Sequence, residues 1–130
     1  MNKPTKILVV ENNSCARGAL TAYISLQVGI RITAEASNGL EAISKIIDCP
    51  PDIVLMDIQM PVMDGLETTK IIKKRWPWIK VIALTMYQNY RTKALSAGAD
   101  AFLVKGCSAS ELISAVYDLT QTTAVSKPQS

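Results

Sequence analysis

Polar side chains follow most of the short apolar runs in this sequence, each at the point where a run ends. Four of five runs end in this way, followed by Glu11 and Asn12, by Asp57, by Thr85 and by Lys105. Carboxylate and amide oxygens bind hard cations such as Mg²⁺. A carboxylate can also attack phosphorus and hold the group as an acyl phosphate, whose oxygens a hydroxyl and an ammonium stabilise. The set therefore suits phosphoryl transfer to Asp57.

Each of these residues also has an ordinary structural explanation. A lone aspartate after a strand usually caps a helix, and the triplet that begins at Glu11 can cap the first helix through Asn13 or Ser14. A threonine at a strand end is a good strand residue, and a lysine there is usually solvated. The joint placement favours a shared site, because unrelated surface residues have no reason to align with strand ends. Only the second run, which ends near Glu35, contributes no such residue.

The apolar runs predict the strands that must position these side chains. They cover residues 7–10, 30–34, 53–56, 81–84 and 101–104 and are mostly continuous rather than alternating, which is typical of parallel strands buried on both faces. Helical patterns lie between them. Residues 14–27 carry apolar side chains at helical spacing, residues 89–97 show a weaker pattern closed by Gly98, and three further helices begin at capping signals, Asn38 to Glu41, Asp64 to Glu67 and Ser108 to Glu111.

This alternation predicts an α/β fold, a (βα)₅ doubly wound sheet of five parallel strands. Ligands of such sheets bind outside the carboxyl ends of the strands, which is where the polar residues lie. We expect one domain over residues 1–119 and a tail or the start of a linker over residues 120–130, which consists mostly of Thr, Ser and Gln with one Lys and one Pro.

Composition excludes several other classes of protein. With 48% hydrophobic and 19% charged residues among 130, the chain is typical of a globular domain. The net charge of +3 is scattered, so we expect no direct nucleic-acid binding. The absence of histidine excludes imidazole-based catalysis and metal sites. Three cysteines without a C-x-x-C pair predict buried or half-buried free thiols in a reducing cytoplasm, and no apolar run approaches the ~18 residues of a membrane span.

Four segments resemble the receiver domains of two-component response regulators, the CheY-like superfamily. They are residues 6–13 (KILVVENN), 52–65 (DIVLMDIQMPVMDG), 83–85 (ALT) and 97–106 (AGADAFLVKG), and the resemblance extends over about residues 5–119. Gly106 follows Lys105 at a position where many relatives have proline. In this feature the sequence most resembles the NarL/LuxR-type transcriptional regulators. The resemblance implies the flavodoxin-like strand order 2-1-3-4-5.

The resemblance also implies roles for particular residues. Asp57 would be the phosphoacceptor, with Thr85 and Lys105 in the catalytic set and Thr85 and Phe102 as a switch pair. Mg²⁺ would be held by Asp57, Asn12, the backbone carbonyl of Gln59 and, largely through water, Glu11. The domain would be no enzyme beyond its own phosphoryl transfer and dephosphorylation. Its implied partner is a sensor histidine kinase, and the family allows for a homodimer and for a C-terminal DNA-binding domain outside this chain.

Two departures from the family pattern leave an alternative open. Asn12 stands where the family usually carries aspartate, which removes a charge from the metal site. The chain could therefore be a phosphorylation-independent pseudo-receiver, a protein–protein interaction module. The segment from Thr85 to Gly98 is about two residues shorter than in relatives, which leaves the length of the fourth helix and the geometry of the output face open. Other α/β ligand classes are weaker alternatives, since no G-x-G-x-x-G occurs and Gln59 stands where haloacid dehalogenase phosphatases need a general acid.

Overall fold

Five parallel strands form a single sheet in the computed structural model, which describes residues 3–60 and 62–120. The strands are β1 (Thr5–Val10), β2 (Ile30–Ala36), β3 (Ile53–Asp57), β4 (Lys80–Thr85) and β5 (Ala101–Val104). Their order in the sheet is β2-β1-β3-β4-β5, and every neighbouring pair is parallel. The predicted fold class and the flavodoxin-like strand order are confirmed.

Among the residues that the structure describes, five helices connect and follow the strands: α1 (Ser14–Ser25), α2 (Gly39–Asp48), α3 (Gly65–Arg75), α4 (Arg91–Ser96) and α5 (Ala109–Thr120). The capping signals act as predicted. Asn38 accepts a hydrogen bond from the backbone N–H of Glu41, Asp64 does the same for Glu67, and Ser108 does so for Glu111. Within residues 3–60 and 62–120, no helix is long and apolar enough to cross a membrane.

The helix ends differ from the predictions by a few residues. α1 ends at Ser25 rather than at residue 27. The helix predicted over residues 89–97 is instead a 3₁₀ turn (Gln88–Tyr90) followed by α4, which has only six residues. Gly98 follows α4 with a φ of 108°, the left-handed conformation for which glycine is favoured. Thr120, predicted to begin the tail, is the last residue of α5, and residues 121–130 lie outside the described residues.

The core consists of two apolar layers, one on each face of the sheet. Alternate residues of the central strands point to opposite faces, so Leu8 and Val54 pack with α2, α3 and α4, whereas Ile7 and Leu55 pack with α1 and α5. β1, β3 and β4 are buried almost throughout, which explains their continuous apolar runs. The edge strand β2 is only partly covered, and Glu35 is exposed on it.

The three cysteines are free, but the prediction that their thiols are buried or half-buried is wrong for two of them. Cys15 and Cys49 are exposed, and Cys107 is half-buried. Cys15 lies in the first turn of α1, most of which faces solvent, and Cys49 caps the end of α2. Neither position belongs to the apolar stripe of its helix, and a cysteine alone does not reveal this.

Candidate functional site

Glu11, Asp57 and Lys105 meet at the carboxyl edge of the sheet. The Lys105 ammonium nitrogen lies 2.7 Å from Oε1 of Glu11 and 3.2 Å from Oδ1 of Asp57. Both acidic residues are almost fully buried, at 2% and 3% exposed. They come close because Glu11 directly follows β1 and Asp57 ends β3, the neighbouring strand. Lys105 directly follows β5, and its backbone N–H donates to the carbonyl of Thr85 at 2.7 Å, which holds it beside β4.

The three charged groups shift one another's pKa values. Burial raises the pKa of Asp57 to about 6, the Glu11 carboxylate acts in the same direction, and Lys105 opposes both. Burial also acts to raise the pKa of Glu11, but Lys105 and the backbone N–H of Asn13 outweigh it and the pKa is lowered. Burial acts to lower the pKa of Lys105, yet the two carboxylates raise it. With all three groups ionised, two carboxylates face one ammonium, and the site carries one negative charge in excess.

The β3–α3 segment folds back closely against Asp57. The backbone N–H of Gln59 donates to Oδ1 of Asp57 at 3.2 Å, and the N–H of Gly65 donates to the carbonyl of Ile58 at 2.8 Å. A Cβ atom at Gly65 would collide with the backbone carbonyl of Asp57, so only glycine fits this approach. Val62 in the same segment is 75% exposed and has a φ of 72°, which is strained for a β-branched residue.

Thr85 and Phe102 lie on the β4–β5 side of the site. Thr85 is fully buried at the end of β4, and its Oγ1 accepts a hydrogen bond from the backbone N–H of Tyr87 at 3.3 Å. Phe102 pairs with Ala83 across the two strands, is half-buried and packs against the apolar layer that includes Val81 and Ala94. The structure thus brings Thr85 to the edge that holds Asp57, and it leaves Phe102 two residues inside β5.

The residues of the triplet after β1 have separate environments. Glu11 is buried and paired with Lys105, as described above. Asn13 caps α1, since its Oδ1 accepts from the backbone N–H of Ala16 at 2.8 Å. Asn12 lies between them and is exposed. Asn12 therefore adds an amide at the solvent side of the turn that carries the buried Glu11.

Sequence reasoning missed Arg17, whose guanidinium bonds to this same turn. Its Nη1 donates to the backbone carbonyl of Glu11 at 2.8 Å, and its Nε donates to Oε1 of Glu35 at 3.2 Å. The second strand places no side chain in the cluster of Glu11, Asp57 and Lys105, but Glu35 of β2 is linked to the turn indirectly, through Arg17. Helical spacing places Arg17 one turn after the Asn13 cap, but the spacing does not reveal its partners.

The donor set at this edge fits a hard cation. Glu11, Asn12 and Asp57 supply carboxylate and amide oxygens, the ligands that Mg²⁺ prefers, and the excess negative charge is relieved by a cation. The set is small, however. Among the described residues, no group of three or more His, Cys, Asp or Glu side chains is arranged to hold a metal ion. A metal here would depend on two carboxylates completed by Asn12, backbone oxygen and water.

The sequence matches a known family model over most of its length. Residues 7–117 match the model described as the response regulator receiver domain. The chain is 38% identical over 115 residues to the response regulator protein VraR of Staphylococcus saprophyticus, which covers 87% of this chain and 55% of that relative. The chain thus spans little more than half the length of this curated relative.

Solved structures share the fold and part of the sequence. A LuxR-family DNA-binding response regulator from Staphylococcus aureus superposes with a TM-score of 0.85 at 33% identity, covering 90% of this chain and 99% of that chain. A chain of the CheX–CheY–BeF₃–Mg²⁺ complex from Borrelia burgdorferi superposes with a TM-score of 0.84 at 26% identity, covering 92% of each chain. The family and fold similarities therefore coincide over the same residues.

Proposed function

The chain belongs to the family of response-regulator receiver domains of two-component systems, and from this membership we propose that Asp57 accepts a phosphoryl group. The domain is related to LuxR-family regulators and is a signalling domain rather than a classical enzyme. The observation that carries the proposal is the buried carboxylate of Asp57 at the end of β3, which shares the Lys105 ammonium with Glu11.

In the proposed reaction an Asp57 carboxylate oxygen forms a bond to phosphorus while the bond from phosphorus to the donor's leaving atom breaks. The product is an aspartyl phosphate. The Lys105 ammonium, already 3.2 Å from Asp57, stabilises negative charge on the phosphoryl oxygens. The Thr85 hydroxyl donates a hydrogen bond to one of them. We infer that the physiological donor is a sensor histidine kinase, and that dephosphorylation occurs at the same site.

Receiver domains generally use Mg²⁺ at the phosphorylation site. We propose that Asp57, Asn12 and the backbone carbonyl of Gln59 ligate it here, with Glu11 acting largely through water. When bound, the ion supplies positive charge for the phosphoryl oxygens. The excess negative charge of the site supports this assignment, as does the likeness to a chain from a complex that contains Mg²⁺ and beryllofluoride.

We also propose how the domain transmits the signal. Residues 1–119 would form the receiver, with residues 120–130 leading toward a DNA-binding domain outside this sequence. The greater length of VraR and the DNA-binding activity named for the similar LuxR-family regulator of Staphylococcus aureus support this arrangement. The output would then be control of transcription, accompanied by a change in self-association. The receiver itself would contact neither nucleic acid nor membrane. Three free cysteines support the predicted cytoplasmic location, because thiols persist where the environment is reducing.

A second candidate function is a phosphorylation-independent interaction module. Two observations favour it: position 12 carries an uncharged amide, and the described residues hold no three-carboxylate cluster. Such a pseudo-receiver would keep the fold and the partner surfaces but not the metal-dependent chemistry. The two candidates differ in whether Asp57 reacts.

Mass spectrometry after incubation with acetyl phosphate and Mg²⁺ separates the two candidates. We expect the chain to gain one phosphoryl group, and Asp57→Asn to gain none. Asp52→Asn is the matched control, because Asp52 is an exposed acid just before β3 whose side chain accepts a hydrogen bond from the backbone N–H of Lys6, so phosphorylation should continue. An unmodified wild-type chain that also fails to respond to beryllofluoride with Mg²⁺ would favour the interaction module instead.

A further inference from the structure

We propose that Arg17 is a positioning residue that fixes the peptide plane between Glu11 and Asn12 and so presents the Asn12 side chain to the metal. This inference rests on the proposed function, since it concerns how the chain offers oxygen ligands to Mg²⁺. Arg17 itself would touch neither the metal nor the phosphoryl group. Its contact is with the backbone of the residue before Asn12.

The backbone of Glu11 is held on both sides of the residue. Its N–H donates to the carbonyl of Ala36 in β2 at 3.0 Å, and its carbonyl accepts from Arg17 at 2.8 Å. The carbonyl of Glu11 and the N–H of Asn12 belong to one planar peptide group. The bond from Arg17 therefore fixes the direction in which the chain leaves Glu11, and with it the position of the Asn12 side chain.

Arg17 is in turn held by β2 and by its own helix. Its Nε donates to Glu35 at 3.2 Å, and its backbone N–H donates to the carbonyl of Asn13 at 2.9 Å. The guanidinium side chain is only 21% exposed. A planar guanidinium binds two acceptors in fixed directions at once, which the single ammonium of lysine does not reproduce. The edge strand thus acts on the site through Glu35 and Arg17.

The sign of the effect on Mg²⁺ binding distinguishes positioning from simple charge. A cation near a metal site repels the metal, so removing Arg17 would tighten Mg²⁺ binding if charge alone mattered. If the partly exposed Arg17–Glu35 ion pair only stabilised the fold, its loss would leave the Mg²⁺ affinity unchanged. Positioning alone predicts weaker binding.

The test is calorimetric titration of Mg²⁺ into the wild-type chain and Arg17→Met. We expect the Kd to rise roughly tenfold, the lower end of the effect of removing a group that orients a metal ligand. In an Asn12→Ala background Arg17→Met should add no further loss, because the side chain that it positions is already absent. Arg17→Lys should bind more weakly than wild type. Glu35→Ala releases Arg17 without removing it and serves if Arg17→Met does not fold. Because it also removes a negative charge, it is compared with Glu35→Ala in the Asn12→Ala background, where positioning predicts no further loss of affinity and charge alone predicts the same loss.

Lys73→Met is the matched control. The Lys73 ammonium also bonds to a carboxylate and to backbone carbonyls, of Asp100, Pro77 and Ile79, but at the opposite edge of the sheet. This variant should lose stability and keep its Mg²⁺ affinity. Equal or tighter Mg²⁺ binding by Arg17→Met, or a full additional loss in the Asn12→Ala background, would overturn the inference while wild-type phosphorylation still upheld the proposed function. A wild-type chain that neither binds Mg²⁺ nor accepts phosphate would overturn both.

Discussion

At the residue scale, the charge at position 12 affects metal binding and stability in opposite directions. One ammonium, that of Lys105, already serves the two buried carboxylates of Glu11 and Asp57. An aspartate at position 12 would add a second unbalanced negative charge beside them. Asparagine avoids this repulsion in the metal-free protein. In the proposed metal site, the same amide would deprive Mg²⁺ of a charged ligand, so it would favour the metal-free fold at the expense of Mg²⁺ affinity.

Asn12→Asp should tighten Mg²⁺ binding by about tenfold. A full charge beside a divalent ion is worth several kcal/mol before desolvation, and a net gain of about 1.4 kcal/mol is tenfold in affinity. Calorimetry measures the Mg²⁺ affinity directly. It suits this protein better than tryptophan fluorescence, because Trp76 and Trp78 lie before β4 at the opposite edge of the sheet. Asn13→Asp adds the same charge one residue away while keeping a helix cap. Equal gains in both variants would show a general charge effect and not ligation by residue 12.

Asp57→Asn should stabilise the metal-free protein at neutral pH. The pKa of Asp57 is raised from 3.8 to about 6, so the folded protein binds this proton more tightly than the unfolded chain does. Protonation of Asp57 makes its full contribution to the free energy of unfolding below about pH 4, and this contribution is lost as the pH rises through 6. We expect the variant to exceed wild type by on the order of 1–3 kcal/mol at neutral pH in EDTA, and the difference to vanish toward pH 4. Urea unfolding across this range measures it, and a constant difference would contradict the argument.

At the scale of secondary structure, the approach of α3 to β3 determines where Asp57 can lie. The first residue of α3 is Gly65, where a side chain would meet the backbone carbonyl of Asp57. α2 approaches α3 as closely, because a Cβ at Gly39 would meet the hydroxyl of Thr68. These contacts involve backbone or buried atoms that cannot move aside cheaply. The site is thus coupled to the packing of α3 rather than to its own loop alone.

Gly65→Ala and Gly18→Ala should change stability in opposite directions. The added methyl at Gly65 must displace the Asp57 backbone, and overpacking of this kind typically costs about 1–3 kcal/mol. Gly18 lies inside α1 with nothing within 4 Å of an added Cβ, so alanine there should stabilise by about 0.5–1 kcal/mol. Urea unfolding gives both values. Phosphorylation should slow in Gly65→Ala but not in Gly18→Ala. A Gly65→Ala variant that is as stable and as reactive as wild type would refute the close approach of α3 to Asp57.

The sequence was sufficient to predict elements whose signals are local. Apolar runs predicted all five strands, and the cap residues Asn38, Asp64 and Ser108 predicted three helix starts. These signals are local, because burial and capping constrain the residue types within a few positions. The meeting of Glu11, Asp57 and Lys105 also followed, since parallel strands end at one edge. Arg17 and Glu35 could not be paired in advance. Their contact depends on how α1 lies across β1 and β2, which no periodicity encodes.

At the scale of the whole molecule, Thr85 connects the site to exposed apolar side chains in the turn before α4 and in α4 itself. Its Oγ1 accepts from the backbone N–H of Tyr87, in the turn that leads into α4. Met86 and Tyr87 in this turn are 62% and 53% exposed, and Leu95 of α4 is 41% exposed. A hydroxyl that reorients toward a phosphoryl oxygen changes its bond to this turn. In the proposed mechanism, phosphorylation of Asp57 would thereby alter the position of exposed apolar side chains of the kind that support self-association.

Thr85→Ala should separate phosphorylation from any change in self-association. Alanine keeps the strand but removes the hydroxyl that bonds to Tyr87, so the turn with Met86 no longer senses the state of Asp57. Sedimentation velocity with and without beryllofluoride and Mg²⁺ measures how modification of Asp57 changes self-association. The fraction of Asp57 that carries beryllofluoride is measured separately, because loss of the Thr85 hydroxyl also slows reaction at Asp57. Thr85→Ser retains the hydroxyl and should behave as wild type. If Thr85→Ala at full occupancy associates as the wild-type chain does, the signal leaves the site by another path. Phe102, half-buried on the neighbouring strand and packed with Ala94 of α4, would then be the next side chain to replace.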